Sequence, residues 1–337
     1  MGFGERPIMR FLIAGAGAIG GYIGACMARA GFDVTLFARG PHLKAMQEHG
    51  LQVKSAAGDF VVHPRIVSSL SEAGTADVVF LGVKAHSLPQ LAPQLRPVLG
   101  PDTTVVSTQN GIPWWYFQGF GGAGKEIHLE RIDPGGVISA AIEARRVLGS
   151  IVYFSTEVPE PGVILHTDGN RISLGEPDGT RSDRCRRIAE TLVASGLRCP
   201  ITSHIREEIW VKILGNASFN PVSALTRATL AQMVRDPGTA EVIRNIMQEV
   251  EAVSQKLGMK LPISIDQRMA GAEKVGEHRT SMLQDLEAGR PMELEALVGS
   301  VVELGEYLGL PMPYTRTIYN CTKLLAQSAS GGRRSSG

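Results

Sequence analysis

Hydrophobic and polar positions follow two different rhythms along the chain, and the change falls near residue 200. Before it, short apolar runs of the kind that fill a strand buried on both faces alternate with helical stretches. Residues 8–14, 33–38, 77–83 and 103–107 are the strand candidates, with helices expected over 18–30, closed by Gly31, and over 41–48. Residues 51–54 and 60–63 flank Ala56-Ala57-Gly58-Asp59 and read as a hairpin. Strands that alternate with helices imply a parallel, doubly wound sheet. From Val147 the runs 151–157, 162–166 and 171–174 are separated by Pro and Gly and read as antiparallel strands, followed by a helix over 182–194 and a short strand over 197–200. Beyond residue 203 the helical period takes over, at 207–219, 240–257, 263–275, 293–308 and 314–327. The pattern therefore predicts an α/β fold. A doubly wound sheet domain spans 1–203 and an all-helical domain 204–327. The tail 328–337, made only of Ser, Ala, Gly and Arg, has no large apolar side chain to bury and is expected to be disordered.

Composition narrows the function classes. The 337 residues are 43% hydrophobic and 20% charged with a net charge of +1, which favours neither a nucleic-acid partner nor a membrane surface. No apolar run reaches the roughly 18 residues of a spanning helix. Residues 9–30 are small and apolar like a signal peptide, but their glycine pattern and Arg10 suit a strand–turn–helix, so a cytoplasmic protein is expected. Cys26, Cys185, Cys199 and Cys321 form no CxxC pair and lie near no His at ligand spacing, so they read as incidental thiols and no metal is expected.

The first chemical motif is Gly15-Ala16-Gly17-Ala18-Ile19-Gly20, a GxGxxG directly after an apolar strand and opening a helix. The first glycine permits the tight turn, the second lets backbone approach a pyrophosphate, and the third lets helix and strand pack closely. The helix N-terminus offers unpaired N–H groups and a positive dipole end to phosphate. An NAD site usually carries an acid about 20 residues on, for the ribose 2′-hydroxyl. Here no acid occurs between Asp33 and Glu48, and the strand ends at Arg39, whose guanidinium suits a 2′-phosphate. NADP is thus favoured over NAD. The second motif lies on the helix around 207–219, where Lys212, Asn216 and Asn220 recur at i, i+4, i+8 among Trp210, Ile213, Leu214, Ala217 and Phe219. They share one face. A desolvated lysine there is a competent proton donor, and Asn amides can orient substrate; the plain alternative is a solvated stripe on an amphipathic helix. Pro221 is expected to end that helix at Asn220.

These motifs, with Val83-Lys84-Ala85, Gln109-Asn110-Gly111, and Ser281-Met282-Leu283-Gln284-Asp285 followed by Glu293, give the chain a resemblance to the 2-dehydropantoate 2-reductase (ketopantoate reductase) family over roughly residues 9–326. The resemblance implies NADPH-dependent reduction of 2-dehydropantoate to pantoate, in pantothenate and coenzyme A biosynthesis. It implies a Rossmann domain followed by a helical domain of the 6-phosphogluconate-dehydrogenase C-terminal type, with the active site between them. By the same resemblance Arg39 would bind the 2′-phosphate, Lys84 and Asn110 would hold cofactor near the nicotinamide, and Lys212 would be the general acid. Asn216, Asn220 and Ser281 would bind substrate, and Glu293 would contact substrate and influence the lysine. Each has a plainer reading: a surface lysine for Lys84, a turn residue for Asn110, a helix cap for Ser281, and a helix-dipole partner for Glu293. The stretch 112–136, with Trp114-Trp115-Tyr116-Phe117 and then Gly119, Gly121, Gly122 and Gly124, looks like an insertion. It is expected to form a lid or an interface, or else to pack over the sheet edge. A reductase of a different small 2-keto acid, or an NADP-binding sensor without turnover, are the rival readings; a homodimer through the helical domain is the expected assembly.

Overall fold

The computed structural model describes residues 9–121, 124 and 127–331. Contacts divide them into two compact units, one from Met1–Gln109 and Gly136–Ile205, the other from Asn110–Gly135 and Arg206–Gly337. The chain thus passes between units at 109–110, 135–136 and 205–206 rather than once near 203.

The first unit is one nine-stranded sheet with helices. In chain order it contains β1 (Arg10–Ala14), α1 (Ala18–Arg29), β2 (Asp33–Phe37), α2 (Gly40–His49), β3 (Leu51–Ser55), β4 (Phe60–Val62), β5 (Arg65–Val67), β6 (Ala76–Leu81), α3 (Leu88–Leu91), β7 (Leu99–Ser107), α4 (Val137–Ala141), β8 (Val147–Glu157), β9 (Val163–Gly175) and α5 (Asp183–Ala194). The strand order is β4-β3-β9-β8-β7-β6-β1-β2-β5. β5, β2, β1, β6, β7 and β8 pair in parallel, whereas β8–β9 and β3–β4 are antiparallel. The expected doubly wound sheet is therefore extended at one side by a mixed flank. Leu12, Ile13, Leu36, Val79 and Phe80 are essentially inaccessible, as expected of strands covered on both faces.

Several local expectations change. β6 stops at Leu81, so Gly82 and Val83 belong to the following loop. The runs 162–166 and 171–174 are one strand, β9, because Gly169 takes φ +70° and lets the chain continue across a register shift opposite Tyr153. The stretch 197–200 makes only isolated bridges, and β5 carried no legible signal.

The second unit is helical: α6 (Ile205–Thr226), α7 (Leu230–Arg235), α8 (Pro237–Lys256), α9 (Ile265–Val275), α10 (Ser281–Glu287), α11 (Ser300–Tyr307) and α12 (Pro313–Gly331), with a π-helical turn at Glu295–Gly299 running into α11. α6 does not end at Asn220 but runs through Pro221 to Thr226. A proline inside a helix costs about 3 kcal/mol. Ile209, Trp210, Ile213, Leu214, Phe219 and Val222 are all buried on this helix, each stabilising it by roughly 1.5–3 kcal/mol, so packing wins. α12 continues through Gly331, into the tail expected to be disordered; residues 332–337 lie outside the described ones.

Candidate active site

The phosphate loop of the first unit is shaped by what its glycines lack. Gly15 has φ +109°, a backbone conformation that other residues rarely adopt. A methyl on Gly20 would overlap the Gly15 carbonyl oxygen and stand 2.9 Å from Ile13 Cγ2, so Gly20 lets α1 close onto β1. A methyl on Gly17 would meet only the Gly82 carbonyl, at 3.8 Å. Gly17 is also the N-cap of α1 and supplies no side-chain cap, which leaves the first N–H groups of the helix, at Ala18 and Ile19, for an anion. A pyrophosphate fits this cradle.

Arg39 lies at the carboxyl end of β2 and is the N-cap of α2. Its guanidinium is held at the surface, with Nη2 donating to Gln94 Oε1 at 2.9 Å and Cζ 5.0 Å from the Phe37 ring centre. The half-buried Lys84 follows the end of β6 and caps a short 3₁₀ turn, Ala85–Ser87, at the carboxyl edge where open α/β sheets bind ligands.

Two further residues shape this unit's site: His42 escaped sequence reasoning, and Gln109 stood in the Gln109-Asn110-Gly111 motif without a role. His42 Nδ1 accepts from Gly162 N–H at 2.9 Å, so Nε2 carries the proton and donates to Ala16 O at 2.8 Å. Burial pushes this imidazole below its usual range, which keeps it neutral as a strut under the phosphate loop. Gln109 Nε2 donates to Leu81 O (2.7 Å) and Val83 O (3.0 Å), fixing the loop that carries Gly82. Neither spacing nor composition marks His42.

The second unit gathers a different set. Lys212, Asn216 and Asn220 lie on α6; Asn220 is buried and the other two half-buried. Burial lowers the Lys212 ammonium to about 8, against the opposing effect of the Glu293 carboxylate, which favours the charged form. Glu293 Oε2 in turn accepts from Asn110 Nδ2 at 3.3 Å. The structure thus brings Asn110, Glu293 and Lys212 into one electrostatic group from chain segments far apart. Asn110 is more than a turn residue, and Glu293 stands just ahead of the helix that begins at Leu294. The cap of α10 is Thr280, which accepts from Leu283 N–H, so Ser281 is the exposed first residue of that helix and is not the expected cap.

The aromatic stretch is buried within the second unit and is not a lid. Trp115 and Tyr116 are 1% and 0% exposed, and Trp114 and Phe117 are buried too. Trp210 Nε1 on α6 donates to the Tyr116 hydroxyl at 2.7 Å, and Arg206 Nε donates to Tyr116 O at 3.0 Å. Tyr116, Phe117 and Phe120 stack edge-on or tilted on one another, with centres 4.9–5.6 Å apart. The stretch is core of the helical unit. Gly122 lies outside the described residues.

Comparison with known proteins bears directly on this arrangement. The sequence profile of "Ketopantoate reductase PanE/ApbA" matches residues 11–179, and that of its C-terminal domain matches 204–326. A 2-dehydropantoate 2-reductase of Mesorhizobium japonicum is 48% identical, covering 94% of this chain and 98% of the relative. The chain belongs to the ketopantoate reductase family. A 2-dehydropantoate 2-reductase of Archaeoglobus fulgidus is 31% identical over 94% of this chain and 97% of its own length. The crystal structure of a putative ketopantoate reductase from Ralstonia solanacearum superposes with a TM-score of 0.92 at 37% identity, covering 96% of this chain and 99% of that one. The family is one of NAD(P)-dependent oxidoreductases, and the glycine cradle at Gly15, Gly17 and Gly20 suits the pyrophosphate of such a cofactor. Among the described residues no helix is long and apolar enough to cross a membrane, and no cluster of His, Cys, Asp or Glu is arranged to hold a metal ion.

Proposed function

We propose that this protein reduces 2-dehydropantoate to pantoate with NADPH, Lys212 being the proton donor. The observation that carries the reading is the state of Lys212. It is an ammonium on an apolar helix, lowered by burial to about 8, with the Glu293 carboxylate favouring its charged form. At neutral pH such a group holds its proton, yet releases it readily to a developing alkoxide.

Bound reduced nicotinamide supplies a hydride to C2 of the keto acid. The chain's own residues do the rest. Gly15, Gly17 and the free N–H groups at Ala18 and Ile19 bind the pyrophosphate, and Gly20 keeps α1 close enough to do so. Arg39 meets the 2′-phosphate by a charge-assisted contact, for which no carboxylate competes between Asp33 and Glu48. Lys84 and Asn110 hold the nicotinamide side; the Asn110 amide has a second N–H beyond the one given to Glu293. Asn216, Asn220 and Ser281 orient the substrate, Ser281 at its carboxylate. Lys212 Nζ passes its proton to the C2 oxygen as charge develops there, leaving a hydroxyl on C2, and water returns a proton to the lysine. Glu293 contacts substrate and keeps Lys212 protonated between turnovers. We further infer a cytoplasmic homodimer, which cell fractionation and sedimentation velocity check.

The direct test is NADPH oxidation followed at 340 nm with 2-dehydropantoate, against NADH and a panel of branched and hydroxylated 2-keto acids. The reading expects the highest kcat/KM for NADPH with 2-dehydropantoate. A higher value for another keto acid would reassign the substrate, and NADPH binding without oxidation by any member of the panel would make the protein a sensor.

A further inference from the structure

Glu293 is placed by an uncommon piece of backbone. Directly after it the chain enters a helix at Leu294, and Glu295–Gly299 then form one π turn before α11. Such turns are rare and concentrate at functional sites, because widening the ladder frees a carbonyl from its usual partner. Here Ala296 O receives the Ile112 N–H at 3.3 Å and the Ser300 hydroxyl at 2.8 Å. The incoming loop approaches backbone to backbone: Gly111 takes φ +88°, and a methyl on it would overlap Ala296 O. That docking carries Asn110 to Glu293.

One carboxylate pins the π turn from outside. Glu295 Oε2 accepts from Arg131 Nη1 at 2.8 Å, and Glu295 Oε1 accepts from the Tyr319 hydroxyl of α12 at 2.8 Å. Arg131 Nη1 also donates to the Tyr319 oxygen, and its guanidinium lies 4.9 Å from the centre of that ring. Glu130 and Arg131 are themselves tied by their N–H groups to the Glu303 carboxylate of α11, at 2.8 and 3.2 Å. Gly299 closes the turn without a side chain. A methyl there would overlap Glu295 Oε2 and stand 3.1 Å from Arg131 Cδ and 3.2 Å from Tyr319 Cε2. Three chain segments thus converge on Glu295, two residues after Glu293, and neither nucleotide nor substrate binding accounts for them.

We propose that Arg131, Glu295 and Tyr319 are positioning residues for the reduction: together they hold the π turn in register and so fix the Glu293 carboxylate against Asn110 and Lys212. Relaxing a π turn to α-helix shifts the register by one residue, which rotates everything before it by about 100° and displaces it by about 1.5 Å. Glu293 would then leave Lys212. The inference rests on the reading of Lys212 as proton donor.

Losing Glu293 removes a charge that favours the Lys212 ammonium, so the lysine would deprotonate at lower pH. The other charged groups near it stay in place: Glu208 one turn earlier on α6, and Arg268 of α9, whose guanidinium lies against Gly215. The test is the pH profile of kcat in wild type, Tyr319→Phe and Glu295→Gln, with Lys212→Ala as reference. Tyr319→Phe keeps the ring and removes the hydroxyl; Glu295→Gln keeps the size and removes the charge. In both, the alkaline limb should move down by about 0.5–1 pH unit, part of the roughly 1–3 units that a close opposite charge confers. NADPH Kd should stay at the wild-type value, and adding Lys212→Ala should abolish the difference between the variants and wild type. A lower Tm with an unmoved limb in both variants would make the cluster merely structural and overturn the inference. An alkaline limb that survives in Lys212→Ala would overturn the reading of Lys212 itself, and the inference with it.

Discussion

The candidate nucleotide site of the first unit and the candidate proton-transfer site of the second are made of different material. In the first unit the proposed nucleotide recognition is mostly backbone: Gly15, Gly17 and Gly20 act by the side chains they lack, and Arg39 and Lys84 add the charges. In the second unit every contributor is a side chain, and they arrive from separate segments: Lys212, Asn216 and Asn220 on α6, Asn110 from a loop, Ser281 at the head of α10, and Glu293 ahead of the π turn. A backbone-built site is local in sequence and indifferent to most neighbours, but it cannot tolerate a Cβ. A side-chain site is spread over the chain, and its chemistry depends on how deeply one lysine is buried and where one carboxylate sits.

The contrast can be broken at its strongest point by Trp115→Ala. The aromatic stretch supports the α6 side of the site as core, so losing this ring should cost about 3–5 kcal/mol. That corresponds to a fall in Tm of about 2–4 °C per kcal/mol for a unit of this size. NADPH affinity should be unchanged. A wild-type Tm with altered KM for the keto acid would restore the lid that the sequence suggested.

Arg39→Asp probes the side chain proposed to choose between the two nucleotides. Removing a charge-assisted phosphate contact costs about 1.5–3 kcal/mol, so NADPH Kd should rise roughly 10- to 150-fold while NADH Kd barely moves. Isothermal titration with both nucleotides measures this, and equal losses for the two would remove Arg39 from cofactor choice. Gly20→Ala sharpens the same site from the other side. The methyl would collide with the Gly15 carbonyl, at an overpacking cost of about 1–3 kcal/mol. Because the damage is to backbone, NADPH and NADH should weaken together, unlike in Arg39→Asp.

The same contrast explains what could be read in advance. GxGxxG after an apolar strand, the missing acid before Arg39 and the i, i+4, i+8 stripe of Lys212, Asn216 and Asn220 are all short-range patterns, and each falls on the expected element. The errors arose where distant packing decides. Pro221 signals a helix end, but the buried side chains around it keep α6 intact to Thr226. Trp114–Phe117 look like a surface loop among glycines, yet Trp210 and Arg206, some 90 residues away, make them core. The Asn110–Glu293 bond spans 183 positions, and the π turn that supports it has no sequence signature. Roles for those two residues came only from family resemblance.

The central claim is that Lys212 donates the proton, and the pH dependence of kcat in wild type and Lys212→Ala tests it most directly. A general acid works only while protonated, and Lys212 loses its proton as pH rises through about 8. Wild-type kcat should therefore be flat near neutrality and fall above pH 8. Lys212→Ala should lose about 10²–10⁴-fold in kcat at pH 7, keep its NADPH Kd, and show no such limb. Lys212→Arg should not rescue it, because a guanidinium keeps its proton. A Lys212→Ala enzyme with near wild-type kcat and the same alkaline limb would contradict the account and return the α6 stripe to a structural role.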